Sequence, residues 1–186
     1  MTDARPPQER RGTGAPEDFR SGLLALIPHL RAFARGLCGR PDLADDLVQE
    51  TVMRAWAARE RYETGTNMKA WTFTILRNHF LNEIRRTNRL TDMPESGEHP
   101  DLVERASQED AVHVSDLESA LHRLPDDRRE ALLLVGAGGF SYEEAAQVCG
   151  VPAGTIKSRV ARGRAQLMAM LEEEGSTPGS AADQAG

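Results

Sequence analysis

Lys157, Arg159, Arg162 and Arg164 lie in the stretch 145–171, which contains no acidic residue at all. Thr155 and Ser158 sit among them. Arginine forks onto guanine edges, while lysine, serine and threonine hold phosphates, so these residue types on one helix suit the DNA major groove. The residues before them supply what such a helix needs to be presented. Ser141 with Glu144 three positions on makes a capping box. Ala145, Ala146 and Val148 form a small apolar face that lets a second helix cross closely. Gly150 permits a left-handed turn, Val151 plugs the junction, and Pro152 suits a first helical turn. Ile156 and Val160 anchor the second helix at i, i+4. The spacing predicts a helix-turn-helix over 141–164. The plainer alternative is an ordinary helix with a basic solvated face.

A second constellation precedes it. Phe73, Leu76, Phe80 and Ile84 recur at helical spacing as a core face, and Asn78, Asn82, Arg85, Arg86 and Arg89 share another face. Amide groups address base edges and guanidinium groups neutralise phosphates. Trp71 stands beside the loop 63–68 and reads either as a stacking platform for single-stranded nucleic acid or as core. Asp45, Asp46, Gln49 and Glu50 form an acidic patch at i, i+3, i+4 spacing. Phosphate would be repelled there, so the patch suits a basic protein helix, or else is a solvated first turn favoured by the helix dipole.

The elements that carry these groups are helical. Leu23, Ile27, Leu30, Ala34 and Leu37 predict a first helix, with Pro28 expected to kink it or shift its start. Ala44, Val48, Val52 and Ala55 predict a second helix beginning near Pro41 or Asp42, and a third runs from about 68 to 86 or beyond. Leu117, Leu121 and Leu124 form a stripe ending at Pro125. A helix from 126 to 135 stops at Gly136-Ala137-Gly138-Gly139, and the last spans about 152–173. No alternating strand pattern is present. The expected fold is all-α: two small helical domains, 17–90 and 115–173, joined by a flexible acidic linker, 91–114. Tails at 1–16 and 174–186 are expected to be disordered.

The chain of 186 residues carries a net charge of −6, which by itself argues against a nucleic-acid partner. The distribution removes the objection. Residues 92–115 hold seven acids against one arginine, and 172–186 hold four acids, whereas 17–91 carry twelve basic and nine acidic side chains. Cys38 and Cys149 are read as reduced core residues. No apolar run approaches a membrane span and no secretory signal is visible, so a cytoplasmic protein without membrane insertion is expected. The histidines show neither ligand spacing nor a nucleophile partner. No phosphate-binding glycine loop is present, so no metal, cofactor, small-molecule substrate or enzyme activity is expected.

Two runs taken together carry a family resemblance. Residues 45–51 (Asp-Asp-Leu-Val-Gln-Glu-Thr) followed by 70–78 (Ala-Trp-Thr-Phe-Thr-Ile-Leu-Arg-Asn) resemble region two of the bacterial sigma factors. Residues 124–125, 141–146 and 154–159 resemble region four. Their order and the acidic linker are similar to the extracytoplasmic-function (ECF, group 4) RNA polymerase sigma factors. The runs 65–71 and 135–142 resemble the EcfG-like general stress response branch.

The resemblance implies a sigma factor that binds core RNA polymerase and reads minus-35 and minus-10 promoter elements. Asp45, Asp46, Gln49 and Glu50 would meet the β′ clamp helices. Asn67, Lys69, Trp71, Arg77, Asn78, Asn82, Arg85 and Arg86 would hold the melted minus-10 strand. Thr155, Lys157, Ser158, Arg159 and Arg162 would enter the minus-35 major groove, and the acidic linker would thread the polymerase. An anti-sigma factor of the NepR type is the further implied partner. The competing readings are a sigma-like decoy that sequesters an anti-sigma factor and a stand-alone helix-turn-helix repressor.

Overall fold

The apolar spacing of the first forty residues becomes helix α1, Pro16–Cys38. Its stripe broadens to include Phe19 and Phe33, so Phe19, Leu23, Leu30, Phe33, Ala34 and Leu37 are all buried. Pro28 lies inside the helix. It costs the carbonyl four residues back its intrahelical partner, yet the helix runs on through it: Pro28 is on the exposed side and Leu24 is half exposed, where water can satisfy that carbonyl. The computed structural model describes residues 16–91 and 112–175. The two tails, apart from their innermost residues, and nearly all of the acidic linker lie outside these.

After a turn at Gly39, whose φ is +69°, α2 spans Pro41–Ala57 with proline in its first turn. It buries Ala44, Leu47, Val48, Thr51 and Ala55, and the Thr51 hydroxyl donates to the Leu47 carbonyl at 2.7 Å, which satisfies it inside the core. A short 3-10 turn, Arg59–Arg61, leads through the loop at Gly65 (φ +90°) into α3, Met68–Thr91. Then come α4, Val112–His122, and α5, Asp126–Leu132.

The helix expected to stop at Gly136 instead loosens into a π-helical turn, Leu133–Ala137, closed by the Gly138 amide donating to the Leu133 carbonyl at 2.7 Å. Only glycine fits at 138, because a Cβ there would stand 2.5 Å from the Leu134 carbonyl oxygen. Helices α6, Tyr142–Cys149, and α7, Ala153–Gly175, complete the chain. The architecture is all-α, with no strand among the described residues.

The helices form an N-terminal unit, α1–α3, and a C-terminal unit, α4–α7. The main core runs through both: Leu30, Phe33, Phe73 and Leu76 join Leu133, Leu134, Phe140, Ile156 and Val160 in one buried cluster. The seam is close. Phe73 meets Phe140 edge-on at 4.9 Å between ring centroids, a geometry worth about 0.5–1.5 kcal/mol beyond the area buried.

Candidate nucleic-acid interface

The helix-turn-helix is present as its residues dictate. Ser141 caps α6: its Oγ accepts from the Glu144 amide at 3.1 Å, and the Glu144 carboxylate accepts from the Ser141 amide at 2.8 Å. That amide bond comes first among the causes that hold the Glu144 carboxyl below its ordinary range. Gly150 ends α6 in the left-handed conformation, and Val151 donates back to the Ala146 carbonyl at 3.1 Å. Ile156 and Val160 of α7 are buried against α6, while Lys157, Arg162 and Arg164 are exposed. Thr155 and Ser158 are half-buried, the Ser158 hydroxyl donating to the Thr155 carbonyl at 2.9 Å. Arg159 differs from its neighbours: it pairs with Asp127 at the start of α5, 3.1 Å away.

In the N-terminal unit the acidic patch lies on the exposed side of α2. Asp46 and Gln49 are exposed, Asp45 pairs with Arg31 at 2.7 Å, and Glu50 pairs with Arg54 at 2.8 Å. The Arg54 hydrogen bond holds the Glu50 carboxyl below its usual range. On α3, Asn78, Asn82, Arg85 and Arg86 are exposed on one side.

Trp71 is half-buried and stacks within an aromatic cluster. Its ring lies 5.4 Å from Tyr62 and 6.1 Å from Phe19, and Phe19 also meets Trp56 and Tyr62. Tyr62 in turn ties the loop, its hydroxyl donating to the Thr66 carbonyl at 2.7 Å. Sequence reasoning missed Phe19 and Tyr62. Phe19 lies four residues before Leu23, so extending the stripe one step would have found it.

Three residues expected at the minus-10 strand face the C-terminal unit. Asn67 first caps α3, its Oδ1 accepting from the Ala70 amide at 3.0 Å, and its Nδ2 donates to Glu144 at 2.6 Å. Lys69 donates to the Gly138 carbonyl and lies over the Phe140 ring, 4.5 Å from its centroid. Arg77 grips Glu130 through Nε at 2.5 Å and Nη2 at 3.2 Å. Burial works against the Arg77 charge, but Glu130 outweighs it and holds the guanidinium protonated. Glu130 is 8% exposed; no periodicity marks it, and its guanidinium partner comes from the other unit.

Both thiols are reduced, and burial pushes Cys38 up to about 11 and Cys149 up to about 12. Among the described residues no cluster could hold a metal ion, and no helix is long and apolar enough to cross a membrane.

Comparison with known proteins agrees with this geometry. The profile described as Sigma-70 region 2 matches residues 24–90, and Sigma-70, region 4 matches 115–167. The chain is 46% identical over 160 residues to the ECF RNA polymerase sigma factor EcfG of Rhodopseudomonas palustris (strain TIE-1), covering 86% of this chain and 88% of that one. It is 40% identical over 138 residues to the ECF RNA polymerase sigma factor SigC of Mycobacterium tuberculosis (strain CDC 1551 / Oshkosh), covering 72% and 73%. Among solved structures, the sigma factor RpoE from Bartonella quintana, in complex with the anti-sigma factor NepR, superposes with a TM-score of 0.72 at 44% identity. That match covers 84% of this chain and 98% of RpoE.

Proposed function

This chain belongs to the ECF group of the sigma-70 family, and from that premise we propose how its surfaces divide the work of starting transcription. It is a sigma factor: it binds core RNA polymerase, recognises minus-35 and minus-10 elements and directs initiation. The observation that carries this is the presence of regions two and four in order on one chain that keeps a basic, exposed recognition helix.

In our reading Asp45, Asp46, Gln49 and Glu50 on α2 engage the basic β′ clamp helices. Asn67, Lys69, Trp71, Arg77, Asn78, Asn82, Arg85 and Arg86 hold the melted minus-10 strand, with amides on base edges and guanidinium groups on phosphate. Thr155, Lys157, Ser158, Arg159 and Arg162 enter the major groove at minus-35. The domains act as units over 17–90 and 115–173. The protein works in the cytoplasm without catalysis or cofactor, serves a stress response, and is restrained by an anti-sigma factor of the NepR type. The likeness to EcfG and to RpoE held by NepR supports that last assignment.

Run-off transcription on a genomic promoter library, with purified core polymerase and with or without the protein, tests the reading. New transcripts sharing two upstream elements are expected. A chain that forms no complex with core refutes it and leaves the decoy or the repressor; tight promoter binding without polymerase selects the repressor.

A further inference from the structure

The groups that meet the promoter-reading side of α3 share a chemistry. Beneath Lys69 lies an aromatic ring, Phe140, at 4.5 Å, and a carbonyl, Gly138, that accepts its proton. Beside them stand two carboxylates, Glu144 on Asn67 at 2.6 Å and Glu130 on Arg77 at 2.5 Å. A flat ring, a carbonyl acceptor and two anions spaced along one helix are what a stretch of single-stranded DNA would offer the same residues: base, base carbonyl and phosphates. Within the C-terminal unit itself, Asp127 lies on Arg159 of the recognition helix at 3.1 Å.

We propose that residues 130–144 form an interaction surface that imitates single-stranded nucleic acid and occupies the minus-10 face of the same molecule, so that this surface and the promoter strand exclude each other. The inference rests on the reading of α3 as the minus-10 face.

The backbone that presents the surface is specialised for it. The π-helical turn shifts the chain before Gly138, and Gly139 adopts a φ of +63°. Together they turn the Gly138 carbonyl and the Phe140 ring toward Lys69. Glu144 spends one carboxylate oxygen on the Ser141 cap and the other on Asn67, so the fold of the helix-turn-helix itself aims the anion. Glu130 has its bidentate guanidinium partner, Arg77, only while the two units are together.

The test uses the full chain. The probe is a fluorescein-labelled single-stranded DNA bearing the minus-10 element of a promoter mapped by run-off transcription. Its binding to the free chain and to the complex with core polymerase is followed by anisotropy. The double variant Glu130→Gln/Glu144→Gln removes both anions but keeps their shape, and glutamine preserves the capping box. The control, Glu118→Gln/Glu143→Gln, removes the same charge from exposed positions on the same unit.

The free double variant should bind the probe about tenfold more tightly than wild type, the effect of roughly one lost charge-assisted contact, and the control much less. Equal gains in the two variants, or none in either, overturn the proposal. A probe that fails to bind even the polymerase complex refutes instead the assignment of α3 to minus-10.

Discussion

Gly36→Ala isolates the closure of the two units from their separate stabilities. Gly36 lies on α1 under Leu133, and a Cβ built on it stands 2.5 Å from Leu133 Cδ2, 2.8 Å from Cδ1 and 3.2 Å from Cγ. Carbon contacts settle near about 3.5–4.0 Å, so the helix or the leucine must retreat by roughly an ångström. Leu133 is 6% exposed within the shared core, and overpacking of this kind costs about 1–3 kcal/mol. With the units apart Leu133 is gone and the clash with it. Alanine meanwhile favours the helix over glycine by about 1 kcal/mol in either arrangement, so that gain cancels in the comparison.

The closed arrangement should therefore lose about 1–3 kcal/mol relative to the open one, a shift of about 5–150-fold. The assay is intramolecular energy transfer between dyes on Ala57→Cys in α2 and Ala169→Cys in α7, both exposed. The native thiols, raised to about 11 and about 12, stay protonated and label poorly. Transfer should fall in Gly36→Ala while the melting of α1–α3 does not. Unchanged transfer would show that α1 and Leu133 are not in contact in solution, and the shared core would then be wrong.

Arg159→Ala should weaken minus-35 discrimination and spare core binding, and Asp46→Arg should do the reverse; footprinting and core pull-down distinguish them, and a common loss would sink the division of labour. Ser141→Ala should cost roughly 1 kcal/mol in chemical denaturation by removing the α6 cap, with the π-helical turn unaffected. Asn67→Asp keeps the α3 cap, since aspartate caps as well as asparagine, but sets a carboxylate against Glu144. Energy transfer should drop with helicity by circular dichroism unchanged, and a loss of helicity would contradict the capping geometry.

Closure should also weaken in acid. Burial first and then Arg129 hold His122 below its ordinary 6.5, against the opposing pull of Glu118 and Asp126, and its ring faces Gly39 at the end of α1. A folded value below the unfolded one makes the neutral ring's contribution complete above about pH 6.5 and progressively lost below it. Transfer should fall from about pH 7.5 to about 5.5, and His122→Gln should flatten that fall; His79, also lowered by burial, is the control substitution.

What the sequence could disclose was whatever depends on near neighbours. The capping box, the Gly150 turn and the Ile156–Val160 anchor follow from residues within one or two turns of each other, and all are present. The helical stripes hold for the same reason. Leu117 marks the limit: its spacing from Leu121 and Leu124 placed it in the core, yet it is 42% exposed, and Ala120 is buried in its stead. The stop at Gly136 was misplaced because glycine's permissiveness allows a π-helical turn as readily as a break.

The contacts least visible in the sequence pair residues more than fifty positions apart. Arg77 with Glu130 and Asn67 with Glu144 couple side chains that each look solvated on their own helix. Periodicity assigns a polar residue to the exposed side and is silent about a second unit arriving there. That is also why the charge balance misled at first. A net charge of −6 opposes DNA only if the acids and bases keep fixed partners. Here Glu130 lies on Arg77 across the two units, so on the proposed reading opening the chain exchanges a protein carboxylate for a phosphate at the same guanidinium. The exchange swaps one anionic partner for another, and counterion release from the DNA then adds a favourable term that falls with salt. The balance between the two partners is thereby set by ionic strength and by whatever holds the units apart.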